Sequence, residues 1–254
     1  MALSIVILAA GLSSRFGGEP KMLSRVGPNN ETLFEISMTQ VSKYFKIDNL
    51  YLVVGPHNIE IIKTTIQKEH LNCNLTIVTQ TEPKGTAHAL NTVSNLIKTP
   101  FLLMNSDDLY GEETFKKLKT MDLTNLNYVI GYPLGVTLDT KPANRAFIEV
   151  NKEKVTKLQE KMGIRKQYYS ENDLQEIIVS VNLFYLQPEV LSYIKEYVIN
   201  VSETTNEEIM LPKTINEMIK YNEIELKLME SEGQWCGVTY QDDILSVKKS
   251  LKHN

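Results

Sequence analysis

Through its first 135 residues this chain alternates short apolar runs with amphipathic stretches, and that alternation restricts the possible folds more than any other feature. The runs at 4–10, 50–55, 75–79, 100–105 and 127–132 have the length and character of strands buried on both faces. Between them, 32–46, 58–70, 85–97 and 111–120 read as helices with one apolar side. A β-α-β-α order predicts an α/β fold: a mixed, mostly parallel sheet with helices on both faces, right-handed crossovers and a ligand at the carboxyl ends of the strands. Beyond residue 140 the rhythm changes. Phe147–Val150 and Lys154–Gln159 predict short strands of a small antiparallel insertion, followed by a strand at Ile177–Phe184, helices at Pro188–Tyr197 and Leu211–Lys220, and a late strand at Glu225–Met229. The polar stretch Tyr168–Gln175 predicts a mobile loop or a solvated turn. No repeat or low-complexity linker divides the 254 residues, so a single domain is expected.

The first strand, Ser4–Ala10, breaks at Gly11 into Leu12-Ser13-Ser14-Arg15-Phe16-Gly17-Gly18-Glu19-Pro20-Lys21. A buried strand that feeds a Gly/Ser-rich turn carrying two cations is an anion cradle. Gly11 allows close backbone approach, the turn amides can aim at phosphate oxygens, and Arg15 and Lys21 can neutralise charge. The spacing matches neither G-x-x-x-x-G-K-[ST] nor G-x-G-x-x-G. An ordinary strand-to-loop transition with surface cations is the plain alternative. The net charge of −4 argues against a nucleic-acid binder, which would show a basic stripe. Phosphate affinity must then come from a few placed cations. Cys73 and Cys236 lack metal spacing and sit far apart, so a reducing, cytoplasmic location without a disulfide framework is expected. No apolar run is long enough to predict a membrane span.

Two further constellations sit where strands end. Gln80-Thr81-Glu82-Pro83-Lys84-Gly85-Thr86-Ala87-His88 follows the third strand. Pro83 and Gly85 predict a turn, Thr86 a cap for the helix opening at Ala87, and Gln80 a carboxamide able to read a nucleobase edge. His88 is expected to face solvent or to pack locally. Ser106-Asp107-Asp108 follows the buried strand Pro100–Asn105. Adjacent carboxylates at such an exit repel each other unless a cation or a capping role offsets them, and Mg²⁺ suits carboxylates combined with substrate phosphates.

The order Leu8-Ala9-Ala10-Gly11, Ser14-Arg15-Phe16-Gly17 and Pro20-Lys21 resembles the N-terminal signature of the sugar-phosphate nucleotidylyltransferases, and the likeness extends from Ile5 to Asp243. The resemblance implies a Rossmann-like fold of the nucleotide-diphospho-sugar transferase type, with residues 1–135 as the nucleotide-binding half and 136–254 as the acceptor-binding half. It implies that Ala10, Gly11, Ser13, Ser14 and Arg15 wrap the triphosphate. Lys21 would reach the α-phosphate under attack, and Arg15 the β and γ phosphates. Gln80 and Gly85, with Thr86, would hold the base, and Asp107 would bind Mg²⁺. Ser13 and Ser106 stand where relatives carry glycine, and Gly237 stands where many carry a second metal-binding aspartate. Either Asp243 or its neighbour Asp242 is the expected substitute, or the metal depends on Asp107 and phosphates. Glu160-Lys161 resembles the pair that binds a sugar hydroxyl and the acceptor phosphate, and Asn182 the asparagine that meets the sugar; Arg145 has no counterpart in the general pattern. The expected partners are a nucleoside triphosphate and a sugar 1-phosphate or a related phosphorylated small molecule. A glycosyltransferase of the same type of fold and a non-catalytic nucleotide-binding homologue are the other two readings.

Overall fold

The computed structural model describes residues 3–11, 16–17, 19–66, 71–205 and 207–251. The first strand, β1 (Leu3–Ala9), is buried along its whole length. Its alternate residues serve two cores: Val6 and Leu8 pack on one side, Ile5 and Ile7 on the other. That two-sided burial is why the run reads as continuously apolar rather than alternating. Around it lie β2 (Ile47–Val54), β3 (Asn74–Thr79) and β4 (Phe101–Asn105), in the order β3-β2-β1-β4 with every pairing parallel.

Helices cover both faces. α1 (Leu33–Ser42), α2 (Ile59–Thr65) and α4 (Glu112–Thr120) place Phe34, Met38, Ile62, Phe115 and Leu118 against the Ile5/Ile7 side. α3 (Thr86–Asn91), α6 (Val190–Ser202) and α7 (Leu211–Lys220) place Leu90, Leu191, Ile194 and Ile215 against the Val6/Leu8 side. Thr32 and Glu35 form a reciprocal capping box that fixes the start of α1. α3 is shorter than the 85–97 stretch suggests. After Asn91 the side chain of Ser94 bonds to the Asn91 carbonyl, and local bonds of this kind replace the helical ladder.

The second half completes a mixed sheet. β9 (Ile178–Leu186) runs antiparallel to β4 and to β6 (Asn127–Pro133), and β10 (Leu226–Glu230) lies parallel to β6. The expected insertion is a hairpin of long strands, β7 (Ala143–Asn151) and β8 (Lys154–Ile164), which joins the main sheet through β9 and β10. A short pair, β5 (Asp108–Leu109) with β11 (Cys236–Gly237), ties the C-terminal segment to the exit of β4. α8 (Asp243–Ser250) packs Val247 into a small cluster with Phe16 and Leu109.

One stretch departs from its sequence reading. Tyr168–Gln175 is not a loop: α5 (Glu171–Glu176) occupies most of it, capped reciprocally by Ser170 and Asp173, with Leu174 packed beside Leu134. No helix among the described residues is long and apolar enough to cross a membrane.

Candidate functional site

The chain builds β2 and β3 on one side of β1 and then crosses to place β4 on the other. The carboxyl ends of β1 and β4 therefore flank a topological switch point, where open α/β sheets bind ligands. A cleft of about 420 Å³ lies there, lined by Ala10 and Gly11 from the end of β1, Gln80 and Gly85 from the β3–α3 loop, and Lys21 and Asp107. Among the described residues, a Cβ at Gly11 would meet no atom within 4 Å, so the glycine leaves room for a ligand against the backbone. Ser13, Ser14 and Arg15 lie outside the described residues.

The wall facing Gly11 is held from both halves of the chain. Gln80 follows β3 and donates its backbone N–H to the Val54 carbonyl at 2.8 Å. Gly85 precedes α3 at φ 91° and ψ 177°, a backbone conformation that side chains other than glycine's rarely permit. Ile209 straps this loop: its N–H donates to the Lys84 carbonyl at 2.8 Å, and its carbonyl accepts from the Ala87 N–H at 2.9 Å. Thr86 is not the helix cap. It is the first residue of α3, and its hydroxyl accepts from the Leu211 N–H at 2.8 Å, joining the starts of α3 and α7. His88 is half-buried and packs locally, with its Nδ1 2.9 Å from Gln80 Nε2. A Cβ at Gly85 would come within 2.6 Å of the Ile209 carbonyl oxygen. Gly85→Ala is therefore expected to destabilise the protein by about 1–3 kcal/mol, read by denaturant unfolding, because it would push the Ile209 strap off the loop.

Opposite this wall, Pro20 leads into a single 3-10 turn, Lys21–Leu23. Lys21 Nζ donates to Asp107 Oδ2 at 2.7 Å, with the two side chains 17% and 28% exposed. Neither Asp107 nor Asp108 caps α4, whose N-cap is Gly111 with no side-chain bond. The Asp108 carboxylate is buried and accepts from Asn105 Nδ2 at 2.8 Å. Burial first, and the negative charge of Asp107 second, push its pKa up to about 7. The native state thus holds a proton there that the unfolded chain releases near pH 4. Stability should fall as pH rises from about 4 to about 7 and then level off. Asp108→Asn, which removes the buried charge at nearly constant shape, is expected to raise Tm at pH 8 and to leave it nearly unchanged at pH 4; an unchanged Tm at both would contradict this account.

The structure does not bring Asp243 to Asp107. The Asp243 carboxylate accepts from the Thr239 and Tyr240 amides at 2.8 and 2.7 Å and lies 3.4 Å from Lys141 Nζ, fixing the start of α8. Asp242 is exposed and 4.0 Å from the same lysine. The place expected for an aspartate, Gly237, is closed by its neighbours. A Cβ there would lie 2.7 Å from Asp108 Oδ1 and 2.5 Å from the Trp235 ring. The second carboxylate beside Asp107 is therefore Asp108, from the same strand exit.

A smaller recess, about 190 Å³, opens beside the cleft and shares Asn105, Asp107 and Asn182 with it. Asn182 adopts a left-handed φ of 62° within β9, a conformation that asparagine tolerates better than most residues. Glu160 lines this recess, and burial raises its pKa, with Glu208 adding to the effect. Lys161 does not join it. Successive strand residues face opposite ways, and Lys161 is exposed with Nζ 3.9 Å over the Phe147 ring. Arg145, unexplained by sequence, also lines the recess. Its guanidinium lies 4.8 Å over the Trp235 ring and donates to the Asn144 and Thr137 carbonyls, while its buried Nε has no partner among the described residues. Burial holds its pKa below the usual arginine value. Asn105, Glu208 and Met210 are further lining residues that carry no local sequence signal.

Similar proteins share this architecture across the whole chain. The structure of the inositol-1-phosphate CTP transferase from T. maritima superposes with a TM-score of 0.74 at 15% identity, covering 99% of this chain and 96% of that one. UDP-glucose pyrophosphorylase complexed with UDP-glucose gives 0.73 at 16% identity, covering 100% and 99%. At these identities the likeness is one of fold. Among curated relatives, the bifunctional protein GlmU of Methanococcus maripaludis strain C5 is 25% identical over 250 residues, 95% of this chain but 52% of the relative. The chain thus spans about half the length of that relative. The model of the family described as nucleotidyl transferase matches residues 5–254, and the chain belongs to that family.

Proposed function

We propose that the protein is a magnesium-dependent nucleotidylyltransferase that joins a nucleoside triphosphate to a sugar 1-phosphate, giving a nucleoside diphosphate sugar and pyrophosphate. The observation that carries this reading is the meeting of Lys21 with Asp107 at the junction of two recesses. One recess has the size and the carboxamide wall for a nucleotide; the other is small, polar and lined by Glu160, Asn182 and Arg145, as a sugar phosphate would need. Family membership and the activities of the structural neighbours support the same chemistry. Residues 1–135 would then supply the nucleotide contacts and 136–254 most acceptor contacts, with the Ile209 strap crossing between them.

In this reaction an acceptor phosphate oxygen attacks the α-phosphorus in line, the bond to the bridging oxygen breaks, and pyrophosphate leaves with that electron pair. The acceptor phosphate is already ionised, so no general base is required. Catalysis rests on orientation and on charge placed where it develops. Gln80 and the Gly85 backbone would hold the base. Lys21 would meet charge on the α-phosphoryl group, and Arg15 would steady the leaving pyrophosphate. Asp107 and Asp108 line the smaller recess together and fit Mg²⁺, which takes one or two carboxylates and completes its shell with phosphate and water. Bound there, the ion would neutralise the phosphates and polarise the α-phosphorus.

Exchange of isotope-labelled pyrophosphate into UTP, CTP, dTTP and GTP, with a panel of sugar 1-phosphates and Mg²⁺, tests the proposal. Exchange with at least one pair is expected. Sugar transfer from a nucleotide sugar without pyrophosphate chemistry would instead identify a glycosyltransferase. Tight nucleotide binding with no turnover under any divalent metal would identify a non-catalytic homologue.

A further inference from the structure

A carboxamide can face a base with its carbonyl or with its amide, and the surroundings of Gln80 choose between the two. Gln80 is 4% exposed, and it lines the cleft beside Gly85. Its Nε2 donates to the Gly85 carbonyl at 3.1 Å and lies 2.9 Å from His88 Nδ1. A carbonyl only accepts, so the first contact demands the NH₂ group on that side. The second demands that His88 carry its proton on Nε2 and leave Nδ1 free to accept. Both amide hydrogens are then engaged. Oε1 is the polar atom of the side chain left to meet a ligand.

We propose that His88 is a positioning residue that fixes the Gln80 carboxamide with its carbonyl toward the base, so that the site selects triphosphates whose base presents an N–H at that point. This rests on the base-reading role given to Gln80 above. The helix places the residue for it: His88 stands in the first turn of α3, directly after the Gly85 turn that Gln80 also touches.

The same geometry makes base selection depend on pH. Burial, and then Lys84, hold the His88 pKa below its ordinary value; Glu82 opposes them and pairs with Lys84 at 2.7 Å. Glu208 is the other carboxylate lining the cleft outside the Asp107 end. At neutral pH the imidazole is uncharged and accepts from Gln80. Once protonated, Nδ1 becomes a donor facing a donor. Rotating the amide would relieve that clash but turn Oε1 against the Gly85 carbonyl, so neither orientation satisfies both neighbours. Selection should therefore be sharpest with His88 neutral and relax as pH falls through its pKa.

The test compares kcat/KM for UTP, CTP, dTTP and GTP between pH 5.5 and 8.5 in the wild type, Gln80→Ala, His88→Ala and His88→Asn. Asparagine Oδ1 can occupy the place of Nδ1 and accept there, but it does not titrate. The ratio of best to second-best triphosphate is expected to fall about tenfold in His88→Ala, roughly the worth of one oriented hydrogen bond. It should stay near the wild-type value in His88→Asn, and that variant should lose the decline in selectivity at acid pH. A wild-type ratio and pH profile in His88→Ala would overturn the proposal. Should His88→Ala fail to fold, His88→Asn decides: loss of the acid-side decline supports the proposal, and its retention overturns it. Gln80→Ala separates the two layers. An unchanged ratio there removes Gln80 from base reading altogether, whereas a flattened ratio combined with an unaffected His88→Ala removes only the role of His88.

Discussion

Asp107→Asn is expected to lower kcat by about 10²–10³-fold at saturating Mg²⁺ while leaving the unfolding midpoint within a few degrees of the wild type. The fold should tolerate the change because the side chains are nearly isosteric and because the lost partner, Lys21, is itself partly exposed, where ion pairs contribute little to stability. What disappears is the charge of Asp107, which lines both recesses beside the uncharged Asn105 and Asn182. A direct binding measurement, such as the Mg²⁺-induced rise in Tm in the presence of a triphosphate, should shrink in parallel with kcat. Asp243→Asn provides the contrast. Its carboxylate anchors two amides at the start of α8, so its loss should cost about 1 kcal/mol of stability and leave the metal requirement unchanged. Full magnesium-dependent activity in Asp107→Asn would sink the proposed mechanism.

Much of this was legible in the sequence where burial is two-sided and local. β1, β3 and β4 fall within a residue of the runs at 4–10, 75–79 and 100–105, because strands covered on both faces must be apolar throughout. Gln80, Gly85 and Asp107 were legible for a related reason: a ligand at strand ends draws on residues that follow those strands directly. Other features were set by tertiary partners. α5 has no buried residue and so no apolar period, leaving Ser170 and Asp173 as its only signal. Lys161 follows Glu160 in sequence, but the pleat turns it away. Asp243 lies near Trp235 along the chain, yet backbone amides of its own turn engage it. Arg145 lines the smaller recess, held by the Trp235 ring and the Asn144 and Thr137 carbonyls, tertiary contacts that no local pattern encodes.

Lys21→Ala should separate two roles that the ion pair combines. A cation aimed at the α-phosphorus acts mainly on charge that develops during the reaction, so kcat should fall about 10²-fold or more while KM for the triphosphate changes little. Without substrate, however, Lys21 neutralises Asp107 at 2.7 Å. On the proposed mechanism, lysine and Mg²⁺ would compete for one carboxylate. Removing the lysine should make Asp107 a better metal ligand in the free protein, so that the Mg²⁺ concentration for half-maximal Tm shift falls even as turnover collapses. Substrate would resolve that competition in the wild type, because triphosphate oxygens would give Lys21 a second anion to meet and leave Asp107 free to hold the metal. Measuring both quantities on the same variant distinguishes this exchange from a simple structural bridge. Weaker Mg²⁺ binding together with lost turnover would mean that Lys21 only supports the shape of the site, and near-normal turnover at saturation would remove it from the chemistry.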